Sequence, residues 1–229
     1  VADKWGLNLL IYGQAGSGKT TFASTADDDE HTRRVLYIDV EGGTRSISDR
    51  DRIDVFQPQE FPEIKEVFTF LKNSEHDYKT VVVDSITETQ KLGLKEIMKT
   101  SRTPDMPGLQ DYGKSNEEIQ GLVRAFRGLA QSRGLNIVFT ALDVEAKDEV
   151  TGAVLVRPAL TPKAAEAVTG IVDGIGYLFV NTDGVRMLRL AQDARILAKI
   201  RQARTGPRIP DVIENPSIPQ ILSYYNTKD

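Results

Sequence analysis

The chain has 229 residues, 40% hydrophobic and 27% charged, with a formal net charge of −4, the profile of an ordinary globular protein of one large or two small domains. It contains no cysteine, which excludes disulfides and thiolate chemistry and makes an intracellular, cytoplasmic home the expectation. No apolar run approaches the roughly 18 residues of a membrane helix, the opening VADKWGLNLLIYG lacks a secretory pattern, and the acidic balance argues against a general nucleic-acid coat.

In chain order, LNLLIY (7–12) predicts a strand and KTTFASTA (19–26) a helix start. Between them GQAGSGKT (13–20) fits G-x-x-x-x-G-K-[ST] in full, in the strand–loop–helix setting that gives this motif its meaning. Gly13, Gly16 and Gly18 let the backbone turn its N–H groups toward an anion, and Gln14, Ala15, Ser17 and Thr21 complete the phosphate-binding stretch. Lys19 is positioned for the β- and γ-phosphates of ATP and Thr20 for Mg²⁺.

VLYID (35–39) predicts a second strand and IDVFQP (53–58) a third. In VLYIDVEGG, Glu41 stands where the chain leaves the sheet, and Gly42 and Gly43 permit a sharp departure. Ligands sit at the C-terminal ends of parallel strands, so Glu41 is a candidate to orient or deprotonate water. The alternative is that Glu41 is a plain loop acid and Asp39 carries the structure. Apolar spacing predicts a helix over 62–74. VVVD (81–84) is a continuous apolar run of the kind buried on both faces of a parallel sheet. Its terminal Asp84 is either the magnesium-side acid or the cap of the helix predicted over 87–99.

A helix over 116–132 and a strand over 136–142 come next. DEVTGAV (148–154) and VNTDGVRM (180–187) are turn signals between β-prone segments, and PKAAEAV (162–168) is a short helix with Thr161 as cap and Pro162 at its first position. The expected fold is α/β: a mostly parallel sheet flanked by helices, with antiparallel strands added to that sheet by the C-terminal third. Residues 1–205 are expected to form one domain and 206–229, rich in proline, an irregular tail. His31 and His76 lie far apart in polar surroundings, so no zinc site is expected.

Residues 184–208 hold seven Lys or Arg and one acid, Asp193. Within RILAKIR, the strand period sets Lys199 and Arg201 on one face and Ile196, Ala198 and Ile200 on the other. Such a pair is either a solvated edge-strand face or a reach into an active site.

LYIDVEGG, VVVDSIT, RPALTPKAAEAVTGIVDGIGYLFV and the late KIR, together with the phosphate loop, resemble the RecA-like ATPase core. The likeness is strongest to the compact phage-encoded RecA-like proteins linked to single-strand annealing (Sak-type), and runs over residues 7–205. The resemblance implies hydrolysis of ATP with Mg²⁺, Glu41 as the water-activating acid and Asp84 as the metal-side acid. It further implies that Lys199 and Arg201 reach a neighbouring subunit's nucleotide, in a homo-oligomer that binds single-stranded DNA in the cytoplasm of a host cell. Segments 101–116, with Tyr112 and Lys114, and 143–157, with Lys147 and Arg157, correspond in position to DNA-contacting loops, although neither is strongly basic. RecA has a glutamine where this chain has FTAL (139–142), which leaves Thr140 as the polar group available to contact water or phosphate. Two other classes share the motif: a switch ATPase of the same fold acting on protein partners, and a small-molecule kinase. No Arg-rich lid favours the kinase, Arg102 standing largely alone.

Overall fold

The computed structural model describes residues 6–101, 103–147, 152–202 and 208–225. Arg102, Asp148, Glu149, Gly206 and Pro207, which belong to segments considered above, lie outside them. In chain order the elements are β1 (Asn8–Tyr12), α1 (Lys19–Ser24), β2 (Val35–Asp39), β3 (Ile53–Phe56), α2 (Phe61–Asn73), β4 (Thr80–Asp84), α3 (Ile86–Met98), α4 (Leu109–Arg133), β5 (Asn136–Ala141), β6 (Asp143–Lys147), β7 (Val154–Pro158), α5 (Pro162–Ile171), β8 (Gly174–Val180), β9 (Arg186–Arg189), β10 (Lys199–Ile200), β11 (Val212–Glu214) and α6 (Ile218–Ser223).

The main sheet runs β11-β9-β8-β1-β5-β4-β2-β3, with β10 paired to β8. Strands β8, β1, β5, β4, β2 and β3 are parallel, while β9, β10 and β11 add antiparallel. Every residue of β1, β2, β4 and β5 is buried, which is why these strands are continuous apolar runs with no polar face. Helices cover both sides. Leu10, Tyr12, Val81, Val83 and Phe139 pack against α2, α3, α4 and α5; Leu9, Ile11, Tyr37 and Val82 pack against Phe22 of α1 and Ile221 of α6. Strands β1 and β4 do not pair, because β5 lies between them. The phosphate loop and Asp84 therefore leave the same end of the sheet with one strand between them.

The structure amends several expectations. Over its described residues, 208–225, the tail is not irregular: Val212–Glu214 pairs with β9, and α6 seats Ile218, Ile221 and Leu222 in the core. Proline there marks starts, since Ser217 caps α6 and Pro219 lies in its first turn. Strand β8 is parallel to β1 and part of the central sheet, whereas β6 and β7 form a separate two-stranded sheet. Helix α4 begins at Leu109, seven residues before its predicted start, because the Asp111 carboxylate accepts from Gly108 N–H at 2.9 Å and nucleates the first turn. Thr161 stands at the N-cap of α5 but makes no side-chain cap bond. Its hydroxyl pairs with Asn116 and Gln90 instead, in a polar knot joining α3, α4 and α5.

Candidate nucleotide site

The phosphate loop leaves β1 at Gly13 and enters α1 at Lys19. Gly18, the residue before the helix, has φ 90°, a left-handed conformation that strains any residue with a Cβ. The Lys19 side chain is 6% exposed and curls over the loop, its Nζ donating to Gly13 O at 2.9 Å and Gln14 O at 2.8 Å. Burial lowers its pKa, opposed by the nearby charges of Glu41, Asp84 and Asp143. Carbonyl oxygens thus hold the ammonium where an anion would take over as partner.

Asp84 closes β4, buried, and gathers three hydroxyls. Thr20 Oγ1 donates to Oδ2 at 2.9 Å, Tyr37 OH donates to the same oxygen, and Thr140 Oγ1 donates to Oδ1. Burial and the Asp84 charge push the Tyr37 phenol well above its usual range, so it remains a donor. The cap of α3 is Ser85, whose hydroxyl accepts from Glu88 N–H. That leaves the Asp84 carboxylate aimed at Thr20. Among the described residues no group of three or more His, Asp or Glu side chains forms a metal cluster. A hydroxyl beside a single carboxylate, both hard oxygen donors, suits Mg²⁺, which takes few protein ligands and completes its shell with phosphate and water.

Beyond β2 the chain crosses toward Asp84: the N–H groups of Val40 and Glu41 donate to Asp84 O at 2.8 and 3.1 Å. Asp39 is 2% exposed and organises the loop from Val40 to Thr44. Its Oδ1 accepts from Gly42 and Gly43 N–H at 2.8 and 3.1 Å, and its Oδ2 from Thr44 Oγ1 and Gln57 Nε2 at 2.9 Å each. Burial alone would raise the Asp39 pKa, but Gln57, Thr44, Gly43 and Gly42 together bring it below the ordinary value. Glu41 stands at the solvent-exposed rim. Desolvation and the Asp84 charge raise its pKa, against the pull of Lys19 and a hydrogen bond with Ser85. Asp39 thus carries the structure of this loop, and Glu41 is left as an exposed acid beside Asp84 and Lys19.

Beside the loop lies a cavity of about 380 Å³, lined by Gln14–Ser17 and by Tyr177–Val180 of β8. The motifs announce neither this wall nor the parts played by Tyr37 and Tyr12. Tyr12 OH donates to Val156 O at 3.0 Å and Leu197 O at 2.8 Å, anchoring β7 and the approach to β10 under the loop. A tyrosine ending an otherwise aliphatic buried strand was the available signal, because a buried phenol demands a partner.

Of the remaining candidates, Thr140 belongs to the Asp84 cluster and the others sit elsewhere. Thr140 is wholly buried and its hydroxyl is spent on Asp84. Lys199 and Arg201 lie at the opposite end of the sheet: Ile200 pairs with Gly174, which pairs with Leu9 near the start of β1. Arg201 bonds Asp173 at 3.0 Å and Gly170 O at 2.9 Å. Lys199 is half-buried, and burial with the like charges of Arg201 and Arg127 lowers its pKa. Tyr112 and Lys114 are borne by the first turns of α4, Tyr112 41% exposed. Lys147 ends β6, exposed, while Arg157 on β7 donates to Pro158 O and Leu160 O.

A parallel sheet with a phosphate loop on one strand, and a buried aspartate two strands away that is bonded to the loop's Thr20, defines a P-loop NTPase domain. The family model described as "AAA domain" matches residues 6–202, and the chain belongs to that family. No curated protein matches it significantly. Among the described residues no helix is long and apolar enough to cross a membrane.

Proposed function

We propose that the protein hydrolyses ATP with Mg²⁺ and couples the cycle to single-stranded DNA in recombination or strand annealing, as a compact RecA-like ATPase of the phage type. The observation carrying the hydrolytic half is the meeting of Lys19, Thr20, Asp84 and Glu41 at one end of the sheet. Mg²⁺ bound there supplies charge neutralisation on the phosphates. Thr20 and Asp84 hold its position, Lys19 exchanges its two carbonyl partners for phosphate oxygens, and Glu41 orients and deprotonates the attacking water. The residue after Asp84 is Ser85, already committed to capping α3, so the base comes from β2 and not from β4.

The DNA half rests on the RecA-like resemblance and on the cation-rich segment 184–208, with Tyr112, Lys114 and Lys147 the groups available to it. Arg157 serves it only by giving up two backbone carbonyls. A trans role for Lys199 and Arg201 calls for a head-to-tail homo-oligomer, because the pair lies at the sheet end opposite the phosphate loop. Head-to-tail contacts build rings or filaments. Arg201 would have to leave Asp173 to take part.

The test is ATP turnover with and without single-stranded DNA, beside Lys19→Ala and Lys199→Ala. A rise with DNA that both substitutions abolish, partly restored by mixing the two variants, is the expected result. Turnover indifferent to DNA and to Lys199 would sink the coupled, trans-completed reading. It would favour a nucleotide switch acting on protein partners, for which Met106 and Leu109, 74% and 93% exposed, offer an apolar surface at the start of α4.

A further inference from the structure

The loop is touched by a cation outside the motif. Arg186 opens β9, opposite Val180 across the β8–β9 hairpin, and its guanidinium lies directly against Gly18. A Cβ built on Gly18 would stand 2.5 Å from Arg186 Nε, 2.7 Å from Nη2 and 2.8 Å from Cζ. The backbone beneath is fixed on two sides. Asn215 N–H donates to Arg186 O at 2.8 Å, and Asn181 Oδ1 holds the hairpin turn by accepting from Asp183 and Val185 N–H. Leu188, two residues along the same face, is buried in the core that contains Phe22 of α1.

The charge of this side chain is unbalanced. No ion pair is found for Arg186 among the described residues, and its buried Nε has no hydrogen-bond partner; Arg189, on the strand's other face, shares the unpartnered Nε but is offset by Asp193 at 3.4 Å. The Arg186 side chain is only half-buried, but its Nε is shut in beside Gly18 without an acceptor, a loss that an anion held at the loop would make good. Ser17, next in the loop, likewise has a buried hydroxyl without a partner.

From this we infer that Arg186 is a phosphate-binding residue of the nucleotide site, delivered by the C-terminal hairpin of the same subunit. The inference rests on the reading of the loop as a nucleotide site. It makes β9, and through it β11, part of what nucleotide binding organises. Gly18 is then fixed twice, by its φ and by the guanidinium that occupies the space of a side chain.

The experiment measures ADP and inorganic pyrophosphate affinity by calorimetry for wild type, Arg186→Gln, Arg186→Lys and Lys19→Ala, with hydrogen exchange over 181–190. Loss of one charge-assisted contact should weaken both ligands about 10- to 100-fold in Arg186→Gln and less in Arg186→Lys, which keeps the charge but not the fork. Exchange in the hairpin should slow on ADP binding in wild type and not in Arg186→Gln. Unchanged affinity in Arg186→Gln with Lys19→Ala crippled would overturn the Arg186 inference alone, as would a loss for ADP with none for pyrophosphate. Should Arg186→Gln not fold, Arg186→Lys decides, a wild-type affinity and exchange response in it counting against the inference. Failure of wild type to bind either ligand would overturn the nucleotide site itself, and this inference with it.

Discussion

Asp39 offers the sharpest test of how the site is built, because both its oxygens are engaged by protein donors and fix the loop that carries Glu41. Replacing it with alanine removes one acceptor from four donors at 2.8–3.1 Å. Charge-assisted bonds at about 1.5 kcal/mol each would total roughly 6 kcal/mol. Three of the donors, however, lie in the loop at Gly42–Thr44 and the fourth on exposed Gln57 just after β3, all near solvent, where water replaces part of what is lost, so about 2–4 kcal/mol of stability is the expected loss for Asp39→Ala. Asp39→Asn should cost about 1 kcal/mol. Its carbonyl still accepts from Gly42 and Gly43, the Thr44 hydroxyl rotates to accept, and the Gln57 amide turns over. Urea denaturation gives the stabilities, and single-turnover hydrolysis reports Glu41, whose placement Asp39→Ala should disturb far more than Asp39→Asn. The folded Asp39 has a lowered pKa, so its stabilisation is present above the unfolded value of about 3.9 and drains away as pH falls through the folded value. The gap between wild type and Asp39→Asn should therefore be full at neutral pH and close in acid. Equal stability and turnover for the alanine and asparagine variants at pH 7 would refute the claim that this carboxylate positions the loop.

Glu41→Gln should leave ADP affinity within about twofold while lowering turnover by about 10²–10⁴, read by calorimetry and phosphate release. Because the Glu41 pKa is raised and the base must be ionised, the acid limb of wild-type turnover should fall at a pH above that of an ordinary glutamate. Gly176→Ala should lose about 1–3 kcal/mol in denaturation, since the new Cβ would stand 2.6 Å from Leu188 Cδ1 and 3.1 Å from both Ile11 Cδ1 and Leu190 Cδ2. Gly121→Ala, within α4 and with nothing within 4 Å of the new Cβ, should instead gain about 0.5–1 kcal/mol.

The central strands were legible because their burial on both faces leaves no polar alternation to disguise them: VLYID and VVVD end where β2 and β4 end. What escaped were elements whose order comes from partners distant in the chain. Strand β11 is three residues long and exists because β9 offers it an edge. Helix α6 closes over a core to which Phe22 contributes from the other end of the chain, and Ile218 N–H donates to Thr25 Oγ1 at 2.8 Å. Four prolines in that stretch read as breakers, although proline also starts helices. Early α4 was hidden by DYGKSN, a run that looks like loop, yet it buries Asp111, Ser115 and Asn116 against polar partners and not apolar ones.

Within the site, the phosphate loop, Asp84 and Glu41 are legible from local pattern, since each is a polar feature at the end of an apolar strand. Arg186 belongs to no motif, but the strand period held a clue. In RMLRL the residues sharing its face are Leu188 and Leu190, both buried, so a cation opening that face must end beside something able to receive it. Lys199 and Arg201 carry the opposite lesson. The same period argument set them on one face, yet it is silent on which end of the sheet that face adjoins, and β10 takes them to the end away from the loop. Two cation sets from one basic segment thus have different geometric fates. Arg186 reaches its own subunit's phosphate loop, whereas the Lys199–Arg201 pair lies at the other end of the sheet and, under the proposed trans role, would meet a nucleotide only across a subunit boundary. Lys199→Ala should accordingly spare ADP affinity in dilute, monomeric protein, where Arg186→Gln already weakens it. Equal loss of monomer affinity in both variants would erase that division.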